Sequence, residues 1–498
     1  MSFQKHQGYG ERVAKRLFKS PVKLGHIWIP MAFVLLTIFR NQALSQLSLP
    51  EAAVGLGIAV LSFLPLFVWA SKAEREVPAF QCFCAVHFPF YAYPIVHCKP
   101  EYMQHSEPDR LLAGIVVLVF LSVACLTYYW GILRLSKRGP AKVLAYRELN
   151  ESTAKWLFTL LLVGWTVFVV LQRFGYLYSL GTFSNTVNSF ACGGGTVAVW
   201  ILGRQIGEEK LGFGHKLFVL AAIVTGLAVS FASGSLIYGF IMLIVGVVGY
   251  SLACRKVPWV TALVCIFVMS FLNLGKAEIR RFYWAGGMTP QLSVSKVIDI
   301  YAKWIPISWN IMWTGHDPHG RNAQQLLDRA NLIHVQALVV ERTPSQMPFL
   351  WGETYKYIPI NLVPRFLWPA KPQTHMATTI MGLHYNIANR GSLRTTTIAF
   401  GTLPEAWVNF GWAGVLVFAI VVGFTMQAVA RACIGASPYS LHSLLCVVWV
   451  AWSFQIELSV SVWFASFAQA VVVIVVLCGL FTREAKSSYA PSPAYGSG

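Results

Sequence analysis

Apolar residues gather in long runs along most of the chain, with short polar segments between them. Each run is close to the roughly 20 residues that an α-helix needs to cross the hydrocarbon core of a bilayer. The pattern therefore predicts an all-α polytopic membrane protein with about twelve transmembrane helices. The predicted spans are residues 27–45, 52–70, 79–97, 111–133, 157–174, 184–202, 217–231, 234–253, 258–274, 409–430, 441–458 and 462–481.

The run at 79–97 is the least regular of the twelve. Pro89 and Pro94 interrupt an aromatic stretch there, and proline removes a backbone donor from a helix interior. A re-entrant segment is the alternative to a full span at this point. Removing the span, however, would put the basic cluster at 134–155 and the basic N-terminus on opposite sides of the membrane, so we keep twelve.

The composition agrees with a membrane protein, because 56% of the residues are hydrophobic and only 12% are charged, against about 25% charged in soluble domains. The net charge of +19 raises the question of nucleic-acid binding. With the N-terminus inside, the inside segments hold 22 Lys and Arg residues against 4 in the short outside loops, which is the positive-inside pattern. Most of the basic excess thus sets the orientation, and we predict no nucleic-acid partner.

These spans divide the chain into five parts. We predict a cytoplasmic basic N-terminus (1–26), nine transmembrane helices (27–274), a large extracytoplasmic catalytic loop (275–408), three further helices (409–481) and a disordered cytoplasmic tail (482–498).

The large loop carries 13 Lys and Arg residues against seven acids. The positive-inside bias gives no reason for basic residues on the outer face, so this charge indicates an anionic partner, either lipid head groups or a phosphate-bearing substrate. The tryptophans of the loop, among them Trp284, Trp304, Trp309, Trp313, Trp351 and Trp368, suit a subdomain that lies on or dips into the bilayer. Short helices are expected in it. One covers 322–342, with Ile333 and Ala337 on its apolar face, and ends before Pro344.

Two groups of cations in the loop are candidates for binding a diphosphate. Arg280 and Arg281 directly follow the ninth span, where the alternative is simple anchoring of the helix end at the interface. The second group lies at 359–375, where four prolines restrict the backbone and hold Arg365 and Lys371 six residues apart. Such a segment would hold two cations at fixed positions, as a diphosphate requires. The alternative is a surface hairpin with solvated charges.

We predict no metal site. His316, Asp317 and His319 share one four-residue turn, where they cannot easily converge on one ion, and no further ligand cluster lies near them in the sequence. The cysteines show no zinc-binding or CxxC spacing, and we interpret them, Cys446 included, as small buried hydrophobic residues.

Three short motifs follow one another in the loop and at the start of the next span. They are G-E-T-Y at 352–355, P-R-F-L-W-P-A-K-P at 364–372 and E-A-W-V-N-F-G-W-A-G at 405–414. Together with many spans and one large outer loop, these motifs resemble the Wzy-like polysaccharide polymerases, a family similar in architecture to the O-antigen ligases. The close resemblance covers about 90 residues. Over the remainder of the chain, the resemblance lies in the layout of the spans.

The resemblance implies a membrane glycosyltransferase of the bacterial inner membrane that needs neither a metal nor a cofactor. It would polymerise undecaprenyl-diphosphate-linked oligosaccharide repeat units into an exopolysaccharide or O-antigen on the outer face. A flippase and a chain-length regulator would be further partners. An O-antigen-type ligase, which moves a finished glycan to another acceptor, and a polysaccharide or lipid transporter are the alternatives.

Departure of a lipid diphosphate develops negative charge, which preaimed cations stabilise in the transition state. We expect Arg365 to be catalytic and to bind the diphosphate first among the loop cations. The other cations that we expect to bind the diphosphate are, in order of preference, Lys371, Arg329, Arg281, Arg280, Arg342 and Arg394. We expect the base for the acceptor hydroxyl to be Glu353, Glu405 or His375.

Overall fold

A computed structural model describes the protein over twelve stretches of chain. They are residues 46–71, 77–135, 147–177, 183–234, 236–254, 258–284, 291–315, 331–363, 365, 367–387, 398–433 and 437–484. Within them the chain is almost entirely helical, which confirms the predicted all-α class.

The helices are α1 (Leu49–Ser71), α2 (Ala79–His87), α3 (Tyr93–Val96), α4 (Pro100–Met103), α5 (Glu107–Leu135), α6 (Glu151–Arg173), α7 (Phe183–Gly207), α8 (Phe213–Ala232), α9 (Ile237–Cys254), α10 (Trp259–Tyr283), α11 (Val294–Thr314), α12 (Leu332–Arg342), α13 (Tyr357–Leu362), α14 (Met376–His384), α15 (Thr402–Cys433), α16 (Leu441–Ser453) and α17 (Val460–Phe481). The strands are β1 (Arg147–Glu148) and β2 (Arg483–Glu484).

Seven helical segments of the described residues are long and apolar enough to cross a membrane, so the chain is a multi-pass membrane protein. They are Leu49–Ala70, Ala79–Val96, Glu107–Gly131, Glu151–Arg173, Phe213–Ala232, Thr402–Cys433 and Val460–Phe481. A helix also lies at each of the other predicted spans except 27–45, which falls outside the described residues. The count of twelve spans stays a prediction.

The irregular run at 79–97 is helical, but its hydrogen-bond pattern changes in the middle. A π-helical segment, Phe88–Ala92, separates α2 from α3. Pro89 and Pro94 lie at the start of the π-helical segment and of α3. Because proline donates no backbone hydrogen bond, the helix widens here instead of ending.

Small residues bring α7 and α9 into close contact. A Cβ atom at Gly249 would lie 2.5 Å from the carbonyl oxygen of Trp200, and one at Gly203 would lie 2.8 Å from that of Gly246. Such close backbone approach is typical of helix pairs in membranes, where packing rather than hydrophobic exclusion drives association.

Two ends of the helical bundle can be recognised from their contacts. At the first, which we call the strand end, β1 pairs antiparallel with β2, so that Arg147 faces Glu484, and Leu149 N donates to Tyr439 O at 3.0 Å. At the opposite end, which we call the loop end, Leu292 N donates to Arg173 O at 2.8 Å. Helix α6 runs from the strand end to the loop end. Helices α12, α13 and α14 also lie at the loop end.

The described parts of the predicted loop contain several helices, and the loop itself stays a prediction. Helix α10 continues to Tyr283, beyond the predicted boundary at 275. The predicted amphipathic helix at 322–342 is present as α12, whose Ile333 and Ala337 are buried, and it ends at Arg342, just before Pro344. Its predicted first part lies outside the described residues.

Cys446 is buried, as predicted, but the sequence did not predict its partner. Cys433 and Cys446 form a disulfide that joins the end of α15 to α16. Their positions, one in each of two helices separated by a short connection, gave no spacing signal of the kind that marks a metal or redox motif.

Candidate functional site

Two of the three motif segments lie against each other at the loop end. The backbone N–H groups of Leu350 and Trp351 donate to the carbonyl oxygens of Val408 and Asn409 at 3.0 and 3.2 Å. Gly352 N donates to Oδ1 of Asn409 at 2.9 Å. The G-E-T-Y segment is therefore held on the first turns of α15 by main-chain and side-chain hydrogen bonds.

Asn409 organises this contact because all of its side-chain polar groups are used. Its side chain is 0% exposed. Nδ2 donates to Thr354 Oγ1 and to Glu405 O, both at 2.8 Å. A buried amide with satisfied donors and acceptor fixes the geometry of the segments that it joins.

The carboxyl group of Glu405 joins α15 to α17. Its Oε2 accepts from Val460 N at 2.6 Å, at the first residue of α17. Its Oε1 is buried without a hydrogen-bond partner among the described residues. Because the side chain is fully buried, Glu405 is inaccessible in this conformation and joins the two helices.

Two glycines let the motif segments approach. Gly411 has φ +57° and ψ −137° and interrupts α15 between Phe410 and Trp412. Gly352 has φ +90°, and a Cβ atom there would lie 3.3 Å from the ring of Phe410. Both backbone conformations favour glycine. The backbone geometry therefore explains why glycine occupies position 352 of the G-E-T-Y motif and position 411 of the E-A-W-V-N-F-G-W-A-G motif.

The proline-rich segment folds back on itself around Lys371. The side chain is 8% exposed, and Nζ donates to the carbonyl oxygens of Asn361 and Val363 at 2.9 and 2.8 Å. Burial, and then the neighbouring charge of Arg365, lower the pKa of Lys371. Arg365 Nη2 donates to Pro372 O at 3.0 Å. The segment thus brings the two cations together, with Lys371 committed to the backbone and Arg365 half-buried beside it.

The remaining predicted bases are accessible. Glu353 is exposed and contacts Lys356, which also lies over the ring of Tyr357. His375 is exposed directly before α14. Both lie in the same stretch of chain as Arg365, at the loop end.

Three of the other predicted cations lie within the described residues. Arg280 donates to Gly234 O through Nε and Nη2 at 3.1 and 2.6 Å and stacks over the ring of Trp284. Arg281 is exposed at the end of α10. Arg342 Nη1 donates to Tyr385 O at 2.9 Å and so joins the ends of α12 and α14. Arg329 and Arg394 lie outside the described residues.

Sequence reasoning missed a histidine cluster at the loop end. Nδ1 of His105 lies 2.6 Å from Oε2 of Glu341, and its Nε2 lies 2.9 Å from Nδ1 of His334. Burial, and then the charge of His105, lower the pKa of His334. The seven-residue spacing of His334 and Glu341 places them on one face of a helix, but nothing in the sequence indicates that the turn near His105 meets that face.

No group of three or more His, Cys, Asp or Glu side chains within the described stretches is arranged to hold a metal ion. His316, Asp317 and His319 lie outside those stretches.

Residues 83–450 match a protein family described as a domain of unknown function, DUF8712. No curated protein and no solved structure matches the chain. The family match covers well over half of the chain and includes all helices from the π-helical segment to α15. The chain therefore belongs to the DUF8712 family.

Proposed function

We propose that this protein is a membrane glycosyltransferase that polymerises lipid-diphosphate-linked oligosaccharide repeat units on the outer face of the bacterial inner membrane. Twelve spans, an inside N-terminus and an extracytoplasmic segment between Tyr283 and Thr402 belong to this proposal. So do an undecaprenyl-diphosphate donor, independence of metal and cofactor, and a flippase and a chain-length regulator as partners.

One observation carries the proposal: two of the three segments that resemble the Wzy-like polymerases contact each other, and the third follows closely in the chain. Asn409 and Glu405 hold the G-E-T-Y segment on α15, and the segment with Arg365 and Lys371 follows it through α13, which packs on α17. In this proposal the cation pair and the exposed Glu353 share one membrane face. These are the groups that glycosyl transfer from a lipid diphosphate requires.

In the proposed reaction, a hydroxyl of one repeat unit attacks the anomeric carbon of the sugar attached to the lipid diphosphate. The carbon–oxygen bond to the diphosphate breaks, and the leaving group keeps the electron pair. Arg365 stabilises the charge that develops on the phosphate oxygens, because its planar guanidinium can contact two oxygens together. Glu353 or His375 takes the proton of the attacking hydroxyl.

The test is deletion of the gene in its host, followed by gel analysis of the polysaccharide and of the lipid-linked intermediates. Loss of a polymerase leaves single lipid-linked repeat units. A ligase would instead leave full-length chains on the lipid, and a transporter would leave repeat units on the inner face. The purified protein should also extend lipid-linked repeats in the presence of a chelator. Either of the other accumulation patterns would overturn the proposal.

A further inference from the structure

Helix α11 starts at the loop end and runs back along the bundle. Directly before it, Leu292 N donates to Arg173 O, at the end of α6. In its second turn, Asp299 Oδ2 accepts from the hydroxyl of Tyr283, at the end of α10, at 2.5 Å. The first turns of α11 thus lie level with the ends of two neighbouring helices.

Further contacts lie progressively deeper. The hydroxyl of Tyr301 donates to Ala228 O at 2.8 Å, inside the apolar helix α8. Gly275 N of α10 donates to Ser308 Oγ at 3.2 Å. Asp299 adjoins the last residue of α10, and Ser308 adjoins a residue eight positions earlier, so the two helices run antiparallel.

The charges of α11 agree with this direction. Lys296, Asp299 and Lys303 all lie in its first half, and no charged residue occurs from Trp304 to Thr314. These eleven uncharged residues span about 16 Å at about 1.5 Å per residue, which is roughly half of a hydrocarbon core of about 30 Å.

The outer face of this uncharged half is apolar and exposed. Ile305, Trp309 and Trp313 follow one another at a spacing of four residues and are 50%, 54% and 71% exposed. The ring of Trp309 lies 6.5 Å from that of Phe271, which stacks in turn on the exposed Phe267 of α10. The stripe therefore continues the exposed apolar face of α10, on which water would be unfavourable.

We propose that α11 is a re-entrant half-helix that inserts residues 304–314 into the membrane leaflet on the loop-end side. The acyl chains of that leaflet cover the Ile305, Trp309 and Trp313 stripe, while Lys296, Asp299 and Lys303 remain among the head groups. The inference does not depend on the proposed enzymatic activity or on which face of the membrane the loop end occupies. It follows from the direction of α11 relative to its neighbours.

Site-specific photo-crosslinking tests the proposal. A benzophenone amino acid replaces Trp313 in the full-length protein, which is reconstituted in vesicles of oleoyl phosphatidylethanolamine and phosphatidylglycerol. After irradiation, mass spectrometry of the labelled peptide identifies what is attached. Val224, exposed on the apolar helix α8, is the positive control. Trp351 is the matched control, because its exposure of 73% is close to the 71% of Trp313 but it lies outside the helices, directly before the G-E-T-Y segment.

We expect acyl-chain adducts at Trp313 and Val224, on the order of tenfold above Trp351, because a side chain within the hydrocarbon core is surrounded by lipid tails. Adducts at Val224 without adducts at Trp313 would overturn the proposal. Adducts of Trp313 to a second copy of the chain would overturn it too, and would assign the stripe to self-association. All three benzophenone variants replace exposed side chains, and only samples that reconstitute as well as the unmodified protein are compared.

Discussion

Arg365 and Lys371 lie together, but their contacts give them different roles. Lys371 uses two of its three ammonium donors for the carbonyl groups of Asn361 and Val363 and is almost fully buried. Arg365 donates one of its five guanidinium N–H groups to Pro372 O among the described residues. Lys371 therefore holds the folded-back segment, and Arg365 is the cation with donors for a substrate. The sequence predicted the pair but not this division.

We predict that Arg365→Ala lowers the rate of polymer formation by about 10²–10³, the usual loss when one transition-state charge contact is removed. The protein should still insert and accumulate, because Arg365 makes few contacts within the fold. Arg365→Lys should recover little activity, since an ammonium cannot contact two phosphate oxygens side by side. Gel analysis of the polymer, normalised to protein level by immunoblot, measures both effects.

Arg147→Ala is the matched control for this substitution, because Arg147 is exposed at the strand end, away from the site. It should leave the polymer unchanged. Near-normal polymer from a well-expressed Arg365→Ala variant would remove the proline-rich segment from the active site. The diphosphate contact would then be sought at Arg281.

A second substitution tests the scaffold. Asn409→Ala removes the partners of Gly352 N and Thr354 Oγ1, and each buried group left unsatisfied costs about 1–3 kcal/mol. We expect a lower Tm of the detergent-purified protein together with loss of activity. Asn150→Ala is the control, because Asn150 is exposed and its side chain makes no capping hydrogen bond at the start of α6. An unchanged Tm for Asn409→Ala would show that the amide does not hold the motif segments together.

The positions of the helices were more predictable from the sequence than the contacts between them. Apolar runs as long as a membrane span are a strong local signal, and a helix lies at each predicted segment within the described residues. In the sequence, two prolines were the only sign of the π-helical turn at Phe88–Ala92. The return of α11 along α10 was not predicted, because it depends on contacts such as Trp304 Nε1 with Leu272 O. Such pairings between distant residues leave no periodic trace in a single sequence.

The cluster that ties α12 to the turn before α5 should respond to pH. Burial lowers the pKa of His334 in the folded protein. As the pH falls through the unperturbed value of about 6.5, the unfolded segment binds a proton before the folded one does, so the contact loses stability. The groups that face His334 are His105, the side-chain amide of Gln104, and Glu101 through both its backbone and its charge. Glu341 contacts His105 in turn, and Arg110 donates to His105 O.

We therefore expect α12 to exchange its amide hydrogens faster when the pH falls from about 7.5 to about 5.5, a window that brackets the unperturbed histidine pKa. The rates are corrected for the intrinsic pH dependence of exchange. His334→Gln keeps a hydrogen-bonding side chain that does not titrate, and should remove most of the change. Equal protection of α12 at both pH values in the unmodified protein would contradict the prediction.

The two ends of the bundle differ in what they carry. The strand end holds short chain connections and the β1–β2 pair. The loop end holds α12, α13 and α14 together with the motif segments. Hydropathy and charge predicted an extracytoplasmic loop here, because both are properties of composition, and its position relative to the membrane stays a prediction. They could not predict that Glu405 would bind the start of α17, since this contact depends on how the chain packs at the loop end.

The final prediction concerns orientation. The excess of Lys and Arg in the strand-end segments predicts that the strand end faces the cytoplasm. A cysteine at Ser345, exposed after α12, should react with an impermeant thiol reagent in spheroplasts, whereas one at Ser152, exposed at the start of α6, should react only after permeabilisation. Mass spectrometry of the labelled peptides separates these sites from the native cysteines. The reverse pattern would exclude polymer synthesis on the outer face, because the cation pair would then face the cytoplasm. It would leave the insertion of α11 untouched, since that inference depends only on the direction of α11 along α8 and α10.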